Sequence, residues 1–233
     1  MKLKSNDIAR MIDISAVQPD STQNDIRAMI ECAIKYNCFA IFALPGQTLF
    51  TKQLLGNNKN VNLGGVVGFP DGGQSTKVKG TSANELANEL GCDELDMVIN
   101  IGMLKSEQYD FVENDIRSVV EAAGNIPVKV ILECYYLTNE EIKIGCERSL
   151  KAGAAFVKNG TGWSKTGATE ENIGLMKKYA GDKMGVKAAG GVRDLDTLIK
   201  LYKCGATRFG VGTRSVIDIL EQCDQLPNGE IEI

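Results

Sequence analysis

The sequence predicts a single-domain (β/α)8 TIM barrel over residues 1–233, and three observations carry that prediction. Eight short apolar segments, each bounded by turn residues, recur about every 30 residues, the size of one βα unit. Stretches with helical spacing and recognisable starts lie between them. No Pro/Ser-rich linker, low-complexity tract or charge block divides the chain. A doubly wound open sheet competes for this length, but it normally has about five or six strands.

The strand segments are "RMIDIS" (10–15), "FAIFAL" (39–44), "LGGVVGF" (63–69), "ELDMVIN" (94–100), "PVKVILE" (127–133), "AAFVKN" (154–159), "MGVKAA" (184–189) and "TRFGVG" (207–212). Continuous apolar runs of this length suit strands buried on both faces. Among the helices, "TNEE" (138–141) is a capping box in which Thr138 is the N-cap and Glu141 reaches back. Thr169 precedes "EENIGLMKKYA", which carries acids in its first turn and lysines in its last, as the helix dipole favours. Asp194 caps "LDTLIKLYK" ahead of the Gly205 stop.

Composition removes several classes of function. A net charge of −4 offers no basic field to attract nucleic acid. No apolar stretch approaches the roughly 20 residues that span a bilayer, and "MKLKSNDIAR" lacks the apolar centre of a secretory signal. The seven cysteines (Cys32, Cys38, Cys92, Cys134, Cys146, Cys204, Cys223) are scattered, with no CxxC pair. They read as reduced packing thiols in a cytoplasmic protein. There is no histidine, which excludes Ser-His-Asp, Cys-His and His-ligated metal mechanisms. No carboxylate cluster has metal-site spacing, so neither metal nor cofactor is expected.

Barrel chemistry sits where strands meet their following loops. Toward that end, three ionisable residues interrupt apolar segments: Asp96, Lys158 and Lys187. Lysine is among the residues least often buried. A single strand lysine has a bland reading, as a snorkelling edge residue or an ion-pair partner, and Lys129 is assigned to a structural pair near the N-terminal face. Alternation places Lys158 on the face of Phe156, and Lys187 on that of Gly185 and Ala189, small neighbours that leave room for a ligand. Two ammonium groups on adjacent strands lower one another's pKa, as does burial. At the reference pKa, about 4 in 10,000 lysines are neutral at pH 7. A shift to about 7 raises that roughly a thousand-fold and costs on the order of 4–5 kcal/mol. Such amines form Schiff bases with carbonyl substrates.

A second constellation is rich in glycine. "AAGGVRD" supplies Gly190, Gly191 and Arg193; "GVGTRS" supplies Gly210, Gly212, Thr213, Arg214 and Ser215 at the start of the last helix. Exposed backbone N–H groups and a helix N-terminus favour an anion, and the last two loops of such barrels commonly hold phosphate. The alternative is a pair of tight strand-to-helix turns. Asp13 and Ser15 are placed to bond substrate hydroxyls or to cap the following turn, and Asn100 and Glu133 also stand at strand ends. Trp163, the single tryptophan, either forms a lid or packs over the rim.

Together "GCDELDMVINIG" (91–102), "VKVILECYYLT" (128–138), "AAFVKNGTG" (154–162), "GATEENIGLM" (167–176) and "GVKAAGGVRD" (185–194) resemble the deoxyribose-phosphate aldolases, class I aldolases of TIM-barrel fold. "VVGFP" (66–70) and "MIDIS" (11–15) fit more loosely. The resemblance covers nearly the whole chain. It implies metal-free, reversible cleavage of 2-deoxy-D-ribose 5-phosphate to acetaldehyde and glyceraldehyde 3-phosphate, in a homodimer or homotetramer. It implies that Lys158 is the Schiff-base lysine, that Lys187 depresses its pKa, and that Asp96 shares in proton transfer through water. Gly162, Gly190, Gly191, Arg193 and Gly210 match phosphate-loop positions; Gly212, Thr213 and Arg214 complete the candidate phosphate set, and Asp13, Ser15, Asn100 and Thr161 the substrate set. Departures are Asn159-Gly160-Thr161-Gly162 for the usual Thr-Ser-Thr-Gly, Asp13-Ile14-Ser15 in the first strand, Gly212-Thr213 for the usual serines, and a C-terminus "QLPNGEIEI" without tyrosine. Two rivals follow: a Schiff-base aldolase for another phosphorylated sugar, and a non-catalytic sugar-phosphate-binding barrel.

Overall fold

The computed structural model describes residues 2–232. In chain order, β1 (Lys2–Lys4) and α1 (Ser5–Ala9) precede the first barrel strand, β2 (Ile12–Ala16). There follow α2 (Gln23–Tyr36), β3 (Ala40–Ala43), α3 (Pro45–Leu55), β4 (Asn62–Val67), α4 (Thr76–Asn84) and β5 (Glu94–Val98). Next come α5 (Ile101–Lys105), α6 (Tyr109–Ala123), β6 (Val128–Ile131), α7 (Asn139–Lys151) and β7 (Phe156–Lys158). The last third is α8 (Glu170–Ala180), β8 (Gly185–Ala189), α9 (Leu195–Lys203), β9 (Arg208–Val211), α10 (Thr213–Asp224) and β10 (Glu230–Glu232).

Strands β2 to β9 pair in parallel, each with its sequence neighbour, and β9 returns to β2 to close the barrel. All eight apolar segments supply one barrel strand each, so the fold read from the sequence is the fold observed. The predicted caps also form: the Glu141 N–H reaches Thr138 Oγ1 at 3.3 Å, and the Thr138 N–H reaches Glu141 Oε2 at 2.7 Å. Thr169 accepts from Asn172 N–H at 3.1 Å, and Asp194 from Thr197 N–H at 2.7 Å.

Alternation along each strand sorts the chain into two interiors. Ile12, Ile14, Leu95, Met97, Val157 and Val186 belong to the large apolar core that includes the helices' buried faces. Burying each such side chain contributes roughly 1.5–3 kcal/mol. The intervening residues, among them Asp13, Asp96 and Lys187, turn into the barrel, where a small separate apolar cluster holds Val17, Ala40, Phe42 and Val66. Two strand glycines make space for rings: a Cβ at Gly64 would overlap Phe42, and one at Gly185 would overlap Phe156. The space beside Lys187 that the sequence suggested for a ligand is therefore taken, on the Gly185 side, by the Phe156 ring.

The segments at the chain's ends make a feature not foreseen. β1 and β10 form a two-stranded antiparallel ribbon, with Lys2 Nζ 3.1 Å from Glu230 Oε2. Neither strand contributes a described residue to the two cavities discussed below. The cysteines are free, and burial pushes Cys38, Cys92 and Cys146 up to about 12, as suits packing thiols.

Candidate active site

The register sets Lys158 of β7 directly opposite Lys187 of β8. Both amines converge on one oxygen: Asp96 Oδ2 on β5 lies 2.9 Å from Lys158 Nζ and 2.8 Å from Lys187 Nζ. Its other oxygen is 3.1 Å from Lys129 Nζ, which also lies 2.8 Å from Glu94. Lys129 is thus an ion-pair residue as expected, yet its partner is also shared by the other two lysines. Lys187 Nζ lies 2.7 Å from Asp13 Oδ2, and Arg208 Nη1 donates to Asp13 Oδ1 at 2.9 Å. Arg208 also approaches Glu94 at 3.5 Å and stacks 3.5 Å from the Phe39 ring centroid, while Lys187 sits 4.3 Å from that of Phe42.

This buried network holds four basic groups (Lys129, Lys158, Lys187, Arg208) against three carboxylates (Asp13, Glu94, Asp96). With every group ionised, one positive charge would be uncompensated in a dry interior, which is costly. A neutral Lys158 removes it. Burial pushes the Lys158 amine below its ordinary value; Asp96 opposes this, while Lys187 and Lys129 add repulsion. Lys187 goes the other way, because Asp13, Asp96 and Glu94 outweigh its burial and hold it charged. Burial would raise Asp96, but Lys158, Lys187 and Lys129 hold it well below the usual carboxylate range. Asp13 is lowered despite burial, chiefly by Lys187, whereas burial and the Asp13 charge raise Glu94. Lys158 is also the more accessible amine, 7% exposed against 1% for Lys187. Spacing along the chain left the two lysines equivalent; the barrel makes them different.

Both amines and Asp96 line a cavity of about 540 Å³. Ser15, Thr161, Gly162, Gly190, Gly191, Arg193, Gly210, Gly212 and Thr213 line it too, as does Ser215. Gly162, Gly190 and Gly191 have φ of 86°, 81° and 80°, a left-handed backbone suited to glycine. Gly212 is the N-cap of α10, so that helix starts at the cavity wall. Asn159 ties the two lysine strands together: its Nδ2 donates to Ala189 O at 3.0 Å and its Oδ1 accepts from Ala189 N–H at 2.7 Å.

Two candidates stand elsewhere than expected. Asn100 does not line the cavity; its Oδ1 accepts from Met103 N–H at 3.1 Å and caps α5. Arg214 is exposed on α10, outside the lining. Asp13 borders the cavity as expected, and each of its oxygens also meets a cation, which makes it part of the ion network as well. Arg208 and Glu94 went unnoticed in the sequence, although a charge inside an apolar segment is the same signal that exposed the lysines.

Glu133 is buried at a left-handed position (φ 55°) and organises the loop after Lys158. Its Oε2 accepts the Thr161 N–H at 3.0 Å and the Thr161 hydroxyl; its Oε1 accepts the Ser164 hydroxyl at 2.9 Å. Trp163 crosses the barrel rim, its indole N–H donating to Val17 O at 3.1 Å.

The fold and the site define a class: a TIM barrel that holds a desolvated amine beside a charged lysine and a shared carboxylate, the equipment for attack on a carbonyl. The sequence profile of the DeoC/LacD family aldolases matches residues 9–211, and the chain belongs to that family. It is 42% identical over 231 residues to a deoxyribose-phosphate aldolase of Rhizobium meliloti, covering 99% of this chain and 93% of the relative. It is 43% identical over 222 residues to that of Thermococcus kodakarensis, covering 94% and 98%. Among solved structures, the tetrameric deoxyribose phosphate aldolase from Aeropyrum pernix superposes with a TM-score of 0.84 at 28% identity, over 96% of this chain and 93% of that one.

Proposed function

We propose that this protein is a class I deoxyribose-phosphate aldolase that cleaves 2-deoxy-D-ribose 5-phosphate reversibly into acetaldehyde and glyceraldehyde 3-phosphate. The observation that carries the proposal is the pair of lysines sharing Asp96 Oδ2 at 2.8 and 2.9 Å on the wall of a cavity whose glycine loops suit an anion. Family membership and the named relatives support the substrate.

The uncharged Lys158 amine attacks the C1 carbonyl, and loss of water leaves an iminium. The C2–C3 bond then breaks, since acetaldehyde carries C1 and C2. Its electron pair enters the enamine while the C3 hydroxyl gives up its proton and becomes the aldehyde of glyceraldehyde 3-phosphate. Protonation of C2 and addition of water release acetaldehyde and restore the amine. Asp96, held anionic between two amines, is placed to relay the proton through a water. Lys187 stays charged and keeps Lys158 from protonating. The phosphate is held by backbone around Gly162, Gly190, Gly191 and Gly212, the N-terminus of α10 and Arg193. The protein works without metal or cofactor, in the cytoplasm and as a homo-oligomer, the last in keeping with the Aeropyrum tetramer; light scattering tests the assembly.

Borohydride reduction in the presence of acetaldehyde, read by peptide mass spectrometry, tests the mechanism. A two-carbon adduct on Lys158, together with release of acetaldehyde from 2-deoxy-D-ribose 5-phosphate, is expected. A folded protein that yields neither would overturn the proposal.

A further inference from the structure

A second cavity of about 380 Å³ adjoins the first, and Thr161 lines both. Pro70, Ile101, Tyr136 and Trp163 give it largely apolar walls, and its acidic residues are the carboxylates Asp71 and Glu133. Trp163 stands on the boundary. Its ring meets that of Phe69, which lines the first cavity, edge-on at 5.7 Å between centroids. Its indole N–H is held by the carbonyl of Val17, also a residue of the first cavity. From below, the Trp163 N–H donates to Thr161 Oγ1 at 3.0 Å, and that hydroxyl is anchored on the buried Glu133. Gly160 lets this clamp close, because a Cβ there would come within 2.9 Å of Glu133 Oε1.

We propose that Trp163 is a specificity-determining residue: its indole is the wall that limits the length of the acceptor aldehyde, and the cavity behind it takes an apolar, unphosphorylated chain when that wall is reduced. The chemical class follows from the lining. Among the described residues no lysine or arginine borders the second cavity, and two carboxylates there repel phosphate, whereas Arg193 borders the first. The inference rests on the aldolase reading, run in the direction of addition. The enamine formed from acetaldehyde on Lys158 attacks the acceptor carbonyl carbon. The new C–C bond takes the enamine electron pair, the carbonyl π pair moves to oxygen, and that oxygen takes a proton. Water then hydrolyses the iminium, releasing a 3-hydroxyaldehyde two carbons longer than the acceptor and freeing the amine.

The test compares propanal with heptanal as acceptors for acetaldehyde in the wild-type protein, Trp163→Ala and Trp163→Phe, with products read by mass spectrometry. The heptanal-to-propanal ratio of kcat/KM should rise at least about tenfold in Trp163→Ala, the scale of a few methylenes finding a pocket. Trp163→Phe keeps a ring but loses the bond to Val17, so its ratio should lie between the other two. Adding Ile101→Trp to Trp163→Ala should refill the cavity and cancel the gain. An unchanged ratio in either single variant, or a gain that survives Ile101→Trp, overturns the inference. Borohydride trapping of the wild-type protein separates the two levels: without a Lys158 adduct the aldolase reading has failed, and with one only the wall is at stake.

Discussion

Lys79 and Lys158 are both buried lysines bonded to an aspartate, and burial pushes both amines below their ordinary value. Their surroundings differ. Lys79, on α4, lies 2.6 Å from Asp115 on α6, with neither side chain exposed. It also donates to Val98 O at 3.0 Å, and the other Asp115 oxygen accepts the Thr76 hydroxyl at 2.8 Å. One cation meets one anion, and both have further hydrogen bonds. Lys158 shares Asp96 with two other amines in a network where basic groups outnumber carboxylates, and it opens on a cavity. Burial alone therefore does not make a lysine a nucleophile. What separates the two is charge stoichiometry and access: Lys79 is stabilised as a matched pair between helices, while Lys158 is the surplus basic group with a route to a substrate.

The comparison can be broken most decisively at Lys158. Lys158→Met should reduce cleavage of 2-deoxy-D-ribose 5-phosphate to background while circular dichroism remains that of the folded protein. Its stability has a sign. Because the folded amine binds its proton less tightly than the unfolded one, the wild-type lysine costs stability below its unfolded pKa of about 10.4, and this cost fades as pH rises through that value. Urea melts should find the Met variant more stable at pH 7 and the gap narrowing toward pH 10. A gap that widens would mean that the folded Lys158 amine holds its proton more tightly than the unfolded one.

Lys79→Met should show the opposite pattern. Stranding Asp115 without its cation should cost roughly 3–5 kcal/mol in denaturant melts, with turnover per folded molecule unchanged. Coupling it with Asp115→Leu should recover most of that loss, since replacing both partners of a buried pair is often neutral. Lys187→Met sharpens the electrostatic half of the comparison. Removing the neighbouring charge lets Lys158 bind its proton more readily, so the rising limb of the kcat/KM profile should move to higher pH. A limb that stays in place would show that burial sets the Lys158 amine without help from Lys187. The smallest effect is expected at Thr76→Val, which removes one hydrogen bond to Asp115: about 1–3 kcal/mol of stability and no change in the pH profile.

Particular residues show how far the sequence could be read. Asp96, Lys158 and Lys187 stood out because charges seldom interrupt apolar strands, and the structure brings these three together. Asn100 was misjudged by the same logic: a polar residue ending a strand can equally begin the next helix, and here it caps α5. Lys79 was invisible, since a lysine in "TKVKG" looks like a solvated helix residue until α6 is laid against it. Glu133 was legible as a strand-end carboxylate, but not as the clamp of the Lys158 loop.

The sequence by itself determined the number and order of the strands, the helix caps and the identity of the unusual lysines. Those are properties of contiguous residues: strand periodicity, an N-cap within three positions of its partner, and a charge among apolar neighbours. Only the tertiary structure decided which amine is pushed below its ordinary value and which is held charged, and which strand-end residues face the cavity. Asp96 is 62 residues from Lys158 and 91 from Lys187, and Asp13 is 195 from Arg208. No local pattern encodes such pairings. They exist because barrel closure brings distant strands into register, and the pKa of each group is a sum over neighbours that only the closed barrel supplies.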